Sequence, residues 1–105
     1  MTAKNAAHIA ALAAEITLCI RRLSLLARAS NEMGGMVAAL EALEAADGPL
    51  AEIGDLLTDG ATWLQEFEHE DADAAADRMD ETSGGTEGVR EGLDLALRLI
   101  RPLTD

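Results

Sequence analysis

The stretch IAALAAEITLCIRRLSLL, residues 9–26, decides the fold because its apolar residues recur at alternating steps of three and four. This spacing is typical of one face of an α-helix. It predicts a long N-terminal helix, from Thr2 or Asn5 to Asn31, whose apolar seam is the main core face. The seam consists of Ile9, Leu12, Ile16, Cys19, Leu23 and Leu26.

A second set of small and apolar residues falls on roughly the opposite side of the same helix, at about 100° per residue. Small side chains let another helix approach closely, either from this chain or from a second copy. We therefore predict a homodimer that forms through this second face. Its residues are Ala7, Ala11, Ala14, Leu18 and Leu25.

The composition of the whole chain favours helices. Its 105 residues suit one domain, residues 1–105. Alanine and leucine are abundant, β-branched residues are sparse, and Trp63 and Phe67 are the two aromatic residues. No segment has the pattern of a strand. The sequence predicts an all-α domain, a four- or five-helix bundle.

Glycines and prolines mark the predicted ends of the middle helices. Gly34 and Gly35 predict a bend or a turn, and Gly48 followed by Pro49 predicts a firm boundary between two helices. TDG at residues 58–60 predicts either a kink or a break. The apolar stripe beyond Pro49 consists of Leu50, Ile53, Leu57, Leu64 and Phe67, with Gly60 in the slot between Leu57 and Leu64.

The last helix is predicted to follow a turn at TSGGTEG, residues 82–88, with Thr86 as its N-cap. Arg98 and Arg101 lie near its C-terminal end, where the helix dipole favours cations, and Pro102 ends it. Its predicted buried stripe consists of Val89, Leu93, Ala96, Ile100 and Leu103.

The N-terminal segment resembles a secretory signal only superficially. His8 and Glu15 interrupt its apolar stretch, and Arg21 and Arg22 follow in place of a cleavage site. Cys19 is the single cysteine, so the chain has no internal disulfide to indicate an oxidising compartment. We expect a cytoplasmic protein that does not interact with membranes.

Acidic residues dominate one part of a chain whose net charge is −12. Residues 66–81 hold eight acids and one base, Arg78. If 62–81 is one helix, five of these acids share a stripe about 21 Å long, opposite Leu64, Phe67 and Ala74. The stripe consists of Glu66, Glu70, Asp73, Asp77 and Asp80.

Such a stripe repels nucleic acid and anionic lipid and attracts basic surfaces. It predicts a partner protein with a basic surface, of the kind that binds nucleic acid, with Trp63 as a further contact residue. Two other interpretations remain open for the acids. They keep an alanine-rich bundle soluble, or residues 68–88 are disordered. Trp63 alternatively packs beside Leu64.

Motifs for metal chemistry are incomplete. Glu66-x-x-His69 has the spacing used in di-iron bundles, but a second such motif is missing. DADAAAD at residues 71–77 lacks the glycine and the closing glutamate of a calcium loop. Cys19 has no adjacent base and is predicted to be buried. We expect no metal, no cofactor and no catalytic residue.

One pair of acidic motifs is similar to that of MazG-type nucleotide pyrophosphohydrolases, which are magnesium-dependent and all-helical. Glu41-x-x-Glu44 is followed by Asp77-x-x-Asp80, although the second motif of that family begins with glutamate. Basic residues for phosphate binding are scarce nearby. A MazG-like hydrolase therefore stays a distant alternative to a protein that is not an enzyme.

In size, acidity and lack of a catalytic motif, the chain resembles small phage-encoded inhibitors of host defence, including anti-CRISPR proteins. Several of those are acidic helical domains. The resemblance is one of general character over the whole chain and transfers no individual residue. It implies an inhibitor that occupies a nucleic-acid-binding surface of a larger protein. The alternative is a structural or regulatory helical oligomer whose acids only provide solubility.

Overall fold

The described residues of the protein form four α-helices in sequence. The structure, a computed structural model, describes residues 2–29 and 32–104. The helices are α1 at Ala3–Ala29, α2 at Met33–Glu44, α3 at Pro49–Gln65 and α4 at Glu70–Ile100, followed by a 3₁₀ turn at Arg101–Leu103. No strand occurs in the described ranges, so the all-α class is confirmed.

The contacts within the chain cluster in two compact units, Met1–Ala39 and Leu40–Asp105. The helix pair that packs along its length is α3 with α4. A single four- or five-helix bundle is therefore not confirmed. The assignment of 1–105 to one domain stays a prediction.

The long N-terminal helix is confirmed as α1, but its apolar seam is not a core face. Ile9 and Leu26 are 56% and 72% exposed, and Leu23 is half-buried. The buried residue of α1 is Ala27, which the seam omits. The core prediction is wrong because periodic spacing identifies an apolar face without identifying what covers it. The predicted helix end at Asn31 lies outside the described residues.

Helix α2 begins earlier than the glycine pair suggests. It starts at Met33, so Gly34 and Gly35 both lie in its first turn and the predicted bend there is wrong. Glycine weakens a helix through its backbone entropy, by about 1 kcal/mol per residue relative to alanine, so the pair lowers the stability of this first turn without interrupting α2.

The boundary between α2 and α3 is confirmed at Gly48 and Pro49. Pro49 is the first residue of α3, where its missing N–H costs nothing. Gly48 donates its N–H to the Ala45 carbonyl at 2.9 Å. A Cβ on Gly48 would lie 2.5 Å from the Ala42 carbonyl oxygen, so this tight turn requires glycine.

Helices α3 and α4 form an antiparallel hairpin in which Gly54 lies near Thr86 and Gly60 lies near Met79. The less exposed residues of both helices recur at steps of three and four, as in a coiled coil. On α3 this repeat is Leu50, Gly54, Leu57, Ala61 and Leu64, and on α4 it is Ala72, Ala76, Met79, Ser83, Thr86, Arg90, Leu93, Leu97 and Ile100. Ala51, Gly60, Asp94 and Ala96 are also less exposed and lie beside the repeat.

The apolar stripe predicted for α3 needs two corrections. Ala61, not Gly60, is the buried residue between Leu57 and Leu64, and α3 passes through residues 58–60 without a break. Ile53 and Phe67 are exposed. Small residues at the contact, with Ala61 on α3 and Ala76 on α4 both buried, allow the two helix backbones to approach closely.

The turn predicted at residues 82–88 is wrong, because this segment is the middle of α4. Thr86 is not an N-cap. Its hydroxyl donates to the Ser83 carbonyl at 2.7 Å. The Ser83 hydroxyl donates to the Gly54 carbonyl at 3.0 Å and is joined to the Thr58 hydroxyl by a hydrogen bond of 2.8 Å. Packing on α3 and these bonds outweigh the helix-breaking tendency of the glycines.

Two glycines of the hairpin are expected to respond oppositely to substitution with alanine. Gly84→Ala should raise the free energy of unfolding by about 0.5 to 1 kcal/mol, because its Cβ meets no atom within 4 Å and alanine favours helix. Gly54→Ala should lower it by about 1 kcal/mol, because its Cβ would lie 2.8 Å from Thr86 Oγ1. Urea denaturation measures both, and equal shifts would contradict this packing.

The C-terminal half of α4 meets the end of α2. Arg90 Nε donates to the Glu44 carbonyl at 3.1 Å, and Arg101 Nε pairs with the Glu41 carboxylate at 3.0 Å. Leu97 lies on the same helix face as these two arginines and is fully buried. Arg90 is half-buried, and its Nη1 also pairs with the Glu87 carboxylate at 3.0 Å.

The buried stripe predicted for the last helix is only partly right. Val89 and Leu103 are exposed. The predicted stripe also leaves out Leu97, which is fully buried. The predicted C-terminal features are present. Arg98 pairs with Asp94 at 2.9 Å in the last turn, and Pro102 lies in the 3₁₀ turn that follows α4.

Candidate functional site

The acidic segment contains the turn of the hairpin. Helix α3 ends at Gln65 and α4 begins at Glu70, so the predicted continuous helix over 62–81 is wrong. Glu68 has φ of 51°, in the left-handed region that few residues other than glycine adopt. His69 is the N-cap of α4, and its Nδ1 accepts the N–H of Asp71 at 3.0 Å.

The acidic stripe is therefore shorter than predicted. Glu70, Asp73, Asp77 and Asp80 are all exposed along α4. Glu66 lies in the turn instead and is not part of this stripe. Ala74 is exposed rather than buried on the opposite face. With a rise of about 1.5 Å per residue, the four acids span about 15 Å.

The position of the turn reverses the electrostatics expected for the first acids. Glu70, Asp71 and Asp73 occupy the first turn of α4, where the positive end of the helix dipole stabilises carboxylates by about 0.3 to 1 kcal/mol each. In the predicted continuous helix over 62–81 these acids would lie mid-helix, where the repulsion between like charges three and four residues apart is unfavourable. This N-terminal clustering was the signal that could have located the turn.

The two aromatic residues lie together on the surface at the end of α3. The Trp63 and Phe67 rings contact edge to face, with centroids 4.8 Å apart and an interplanar angle of 80°. They are 58% and 57% exposed. Trp63 was a predicted contact residue, whereas Phe67 was assigned to the core. The helix ends before Phe67, so this side chain leaves the buried stripe.

Carboxylates surround this aromatic pair in the sequence. Residues 55–81 contain ten acids and one base, Arg78, whose guanidinium lies 3.6 Å from the Glu81 carboxylate. We define the acidic tip as the exposed aromatic pair together with the exposed acids of the turn and of the α4 stripe. The acids of the tip are Glu66, Glu68, Glu70, Asp71, Asp73, Asp77 and Asp80.

The residues predicted to form a dimer interface are all exposed on α1. They are Ala7, Ala11, Ala14, Leu18 and Leu25. Arg21 lies on the same face, in the slot between Leu18 and Leu25. This interface stays a prediction.

The residues considered for metal chemistry are dispersed. Glu66 and His69 lie on the non-helical connection, and Glu41 is paired with Arg101. In the part of the chain that the structure describes, no three acidic, histidine or cysteine side chains are grouped as metal ligands. Cys19 is exposed, so its predicted burial is wrong, for the same reason as the rest of its seam.

A polar groove of about 370 Å³ lies between α3 and α4, beside the Thr58 and Ser83 hydroxyls. Arg90 at its edge already contacts Glu44 and Glu87. Its hydroxyls are used in the hairpin contact itself. We therefore interpret the groove as part of the contact between α3 and α4 and not as a ligand site.

Within the described ranges, no helix combines the length and the apolar character needed to cross a membrane. Comparison of the chain with protein-family models, with curated proteins and with solved structures gives no match.

Proposed function

We propose that this protein acts in the cytoplasm by binding a larger protein, with the acidic tip docked on a basic surface of the kind that holds nucleic acid. It acts as an inhibitor or regulator and not as an enzyme. The observation that carries the proposal is the exposed pair of Trp63 and Phe67 among exposed carboxylates. This is the mode of action that the resemblance to anti-CRISPR proteins implies.

The aromatic pair supplies what carboxylates alone do not. An exposed ion pair contributes about 0.2 to 1 kcal/mol and weakens with salt, so acids mainly accelerate and orient association. Tryptophan is enriched among the few interface residues that dominate binding energy. Two rings in contact form a larger apolar surface than either alone. In this proposal, the carboxylates guide the partner and the rings hold it.

The position of the acids also supports a recognition surface that is formed before binding. The stripe lies on a helix that is anchored at its first residues by the His69 cap and along its length by α3. Glu70, Asp73, Asp77 and Asp80 therefore keep one arrangement in the free protein. A rigid charged surface loses less conformational entropy on binding than a disordered acidic segment does.

A second candidate function is a structural or regulatory oligomer, favoured by the exposed apolar residues of α1. In that case the acids serve solubility alone. The two candidates differ in which surface matters, so substitutions in the acidic tip distinguish them.

The proposal is tested by affinity capture with the full chain as bait. We expect Asp73→Lys/Asp77→Lys to lose a basic partner that the wild type retains. Asp47→Lys/Glu91→Lys is the matched control, since it changes net charge equally at exposed sites outside the tip. Equal loss with both variants would mean that net charge alone governs binding, and equal retention would contradict the proposed site.

The aromatic contribution is measured separately by calorimetry with the captured partner. We expect Trp63→Ala to weaken binding about tenfold or more, because hot-spot tryptophans contribute at least about 1.4 kcal/mol. Leu56→Ala is the control, as Leu56 is an exposed apolar residue of the same helix, 69% exposed. Similar effects of the two substitutions would rule out a specific role for the ring.

A further inference from the structure

The apolar seam of α1 has the spacing of a complete coiled-coil face and is exposed over most of its length. Its six residues alternate by three and four over about 26 Å of helix. Ile9, Leu12, Ile16, Cys19 and Leu26 are exposed, and Leu23 is half-buried. A helix gains most of its stability by packing its apolar face, yet Ala27 is the one buried residue of α1. Such a face is typical of an interface.

The seam leads into an apolar groove at its C-terminal end. Leu23, Leu26 and Ala27 of α1 and the small residues of early α2 enclose about 220 Å³. The α2 residues that line it are Gly35, Ala38 and Ala39. An apolar side chain from another helix running along the seam would enter this groove.

We propose that a second copy of this chain covers the seam, with the two α1 helices antiparallel. The positions of the seam are symmetric about the midpoint between residues 17 and 18, so the antiparallel register leaves no seam residue unmatched. Ile9 of one copy then pairs with Leu26 of the other, Leu12 with Leu23, and Ile16 with Cys19. The twofold symmetry of the dimer repeats each of these three pairs. The Ile9 side chain of one copy then lies beside Leu26, at the groove of the other.

Charge complementarity selects this arrangement. Glu15 and Arg22 flank the seam on the same side, because they directly precede the seam residues Ile16 and Leu23. Both are exposed, and neither has an ion-pair partner among the described residues. In antiparallel coils, residues at this position meet each other across the interface. Glu15 of each copy would therefore face Arg22 of the other, giving two ion pairs.

The other flank and the other orientation support the same choice. In the antiparallel register, the opposite flank pairs Ala13 with Ile20 and Ala6 with Ala27, which are all apolar. In a parallel dimer, Glu15 would face Ile20 and Arg22 would face Ala27, leaving both charges unmatched.

The seam is also a better interface than the second face of the same helix, the alanine face that contains Ala7, Ala11 and Ala14. Arg21 interrupts that face between Leu18 and Leu25, whereas the seam contains no charged residue. This inference concerns α1 alone and goes beyond the proposed function of the acidic tip.

Sedimentation equilibrium of the full chain tests the proposal through a charge exchange. We expect a wild-type dimer that Glu15→Arg or Arg22→Glu each weakens about tenfold, since two attractive pairs become repulsive. The double variant Glu15→Arg/Arg22→Glu should restore wild-type affinity. Arg21→Glu is the matched control, with the same charge change on the opposite face, and should leave the dimer unchanged.

Circular dichroism verifies that each variant keeps its helix content, as expected for exposed positions. A wild-type chain that stays monomeric at every concentration overturns the proposal. Failure of the double variant to recover affinity overturns the antiparallel register. Weakening by Arg21→Glu in place of Arg22→Glu overturns the choice of face and moves the interface to the alanine side.

Discussion

Leu97→Ala is expected to lower the free energy of unfolding by about 3 kcal/mol, within the range known for buried leucines. Leu97 is 0% exposed and is the largest fully buried side chain of the described residues. It lies on the face of α4 that contains Arg90 and is continued by Arg101 of the 3₁₀ turn, and both arginines contact the end of α2. Truncation removes buried apolar atoms and leaves a cavity where the helices are already held by polar contacts.

Leu99→Ala is the matched control for this substitution. Leu99 belongs to the same helix turn but is 77% exposed, so the same chemical change should cost no more than about 0.5 kcal/mol. Urea denaturation followed by circular dichroism measures both variants. Similar losses for the two leucines would mean that α4 does not pack through the face that contains Leu97.

Ala76→Leu is expected to lower the free energy of unfolding by about 2 kcal/mol through overpacking. Ala76 is 0% exposed on the face of α4 that meets α3, where Ala61 of α3 is also buried. A larger side chain at this close contact forces the two helices apart or forces side chains out of their preferred rotamers.

The neighbouring substitution Ala75→Leu provides the comparison. Ala75 is exposed, and leucine is nearly as good a helix former as alanine, so a change within about 0.5 kcal/mol is expected. Thermal unfolding of the two variants in parallel measures the difference. An unchanged stability of Ala76→Leu would show that the hairpin is more loosely packed than the burial of Ala61 and Ala76 indicates.

Helical spacing predicts some features of the candidate site but not the position of its turn. The outward position of Asp73, Asp77 and Asp80 follows from helical spacing, and these acids are exposed on one stripe. Residues 62–81 contain no glycine or proline to indicate a turn, so helical spacing alone does not reveal that the helix ends before Glu66. The structure turns there through Glu68 with a positive φ, and the change exposes Phe67 beside Trp63.

The opposite error occurred where glycines are plentiful. Gly84 and Gly85 predicted a turn, yet they lie on the exposed side of a continuous helix. Their neighbours Ser83 and Thr86 lie on the contact face and satisfy their hydroxyls within the hairpin. The cost of a helical glycine is about 1 kcal/mol, which packing along a long helix pair readily outweighs.

The sequence by itself determined the features that depend on neighbouring residues. These are the helical class, the presence of a long N-terminal helix, and the boundary at Gly48 and Pro49, where backbone geometry leaves few choices. Tertiary structure alone decided which faces are covered and where the hairpin turns. Apolar residues at alternating steps of three and four identify an apolar face of a helix. That face stabilises the fold only when another surface covers it and removes it from water. For α4 that surface is α3, against which Ala76 is buried, while most of the α1 seam stays exposed.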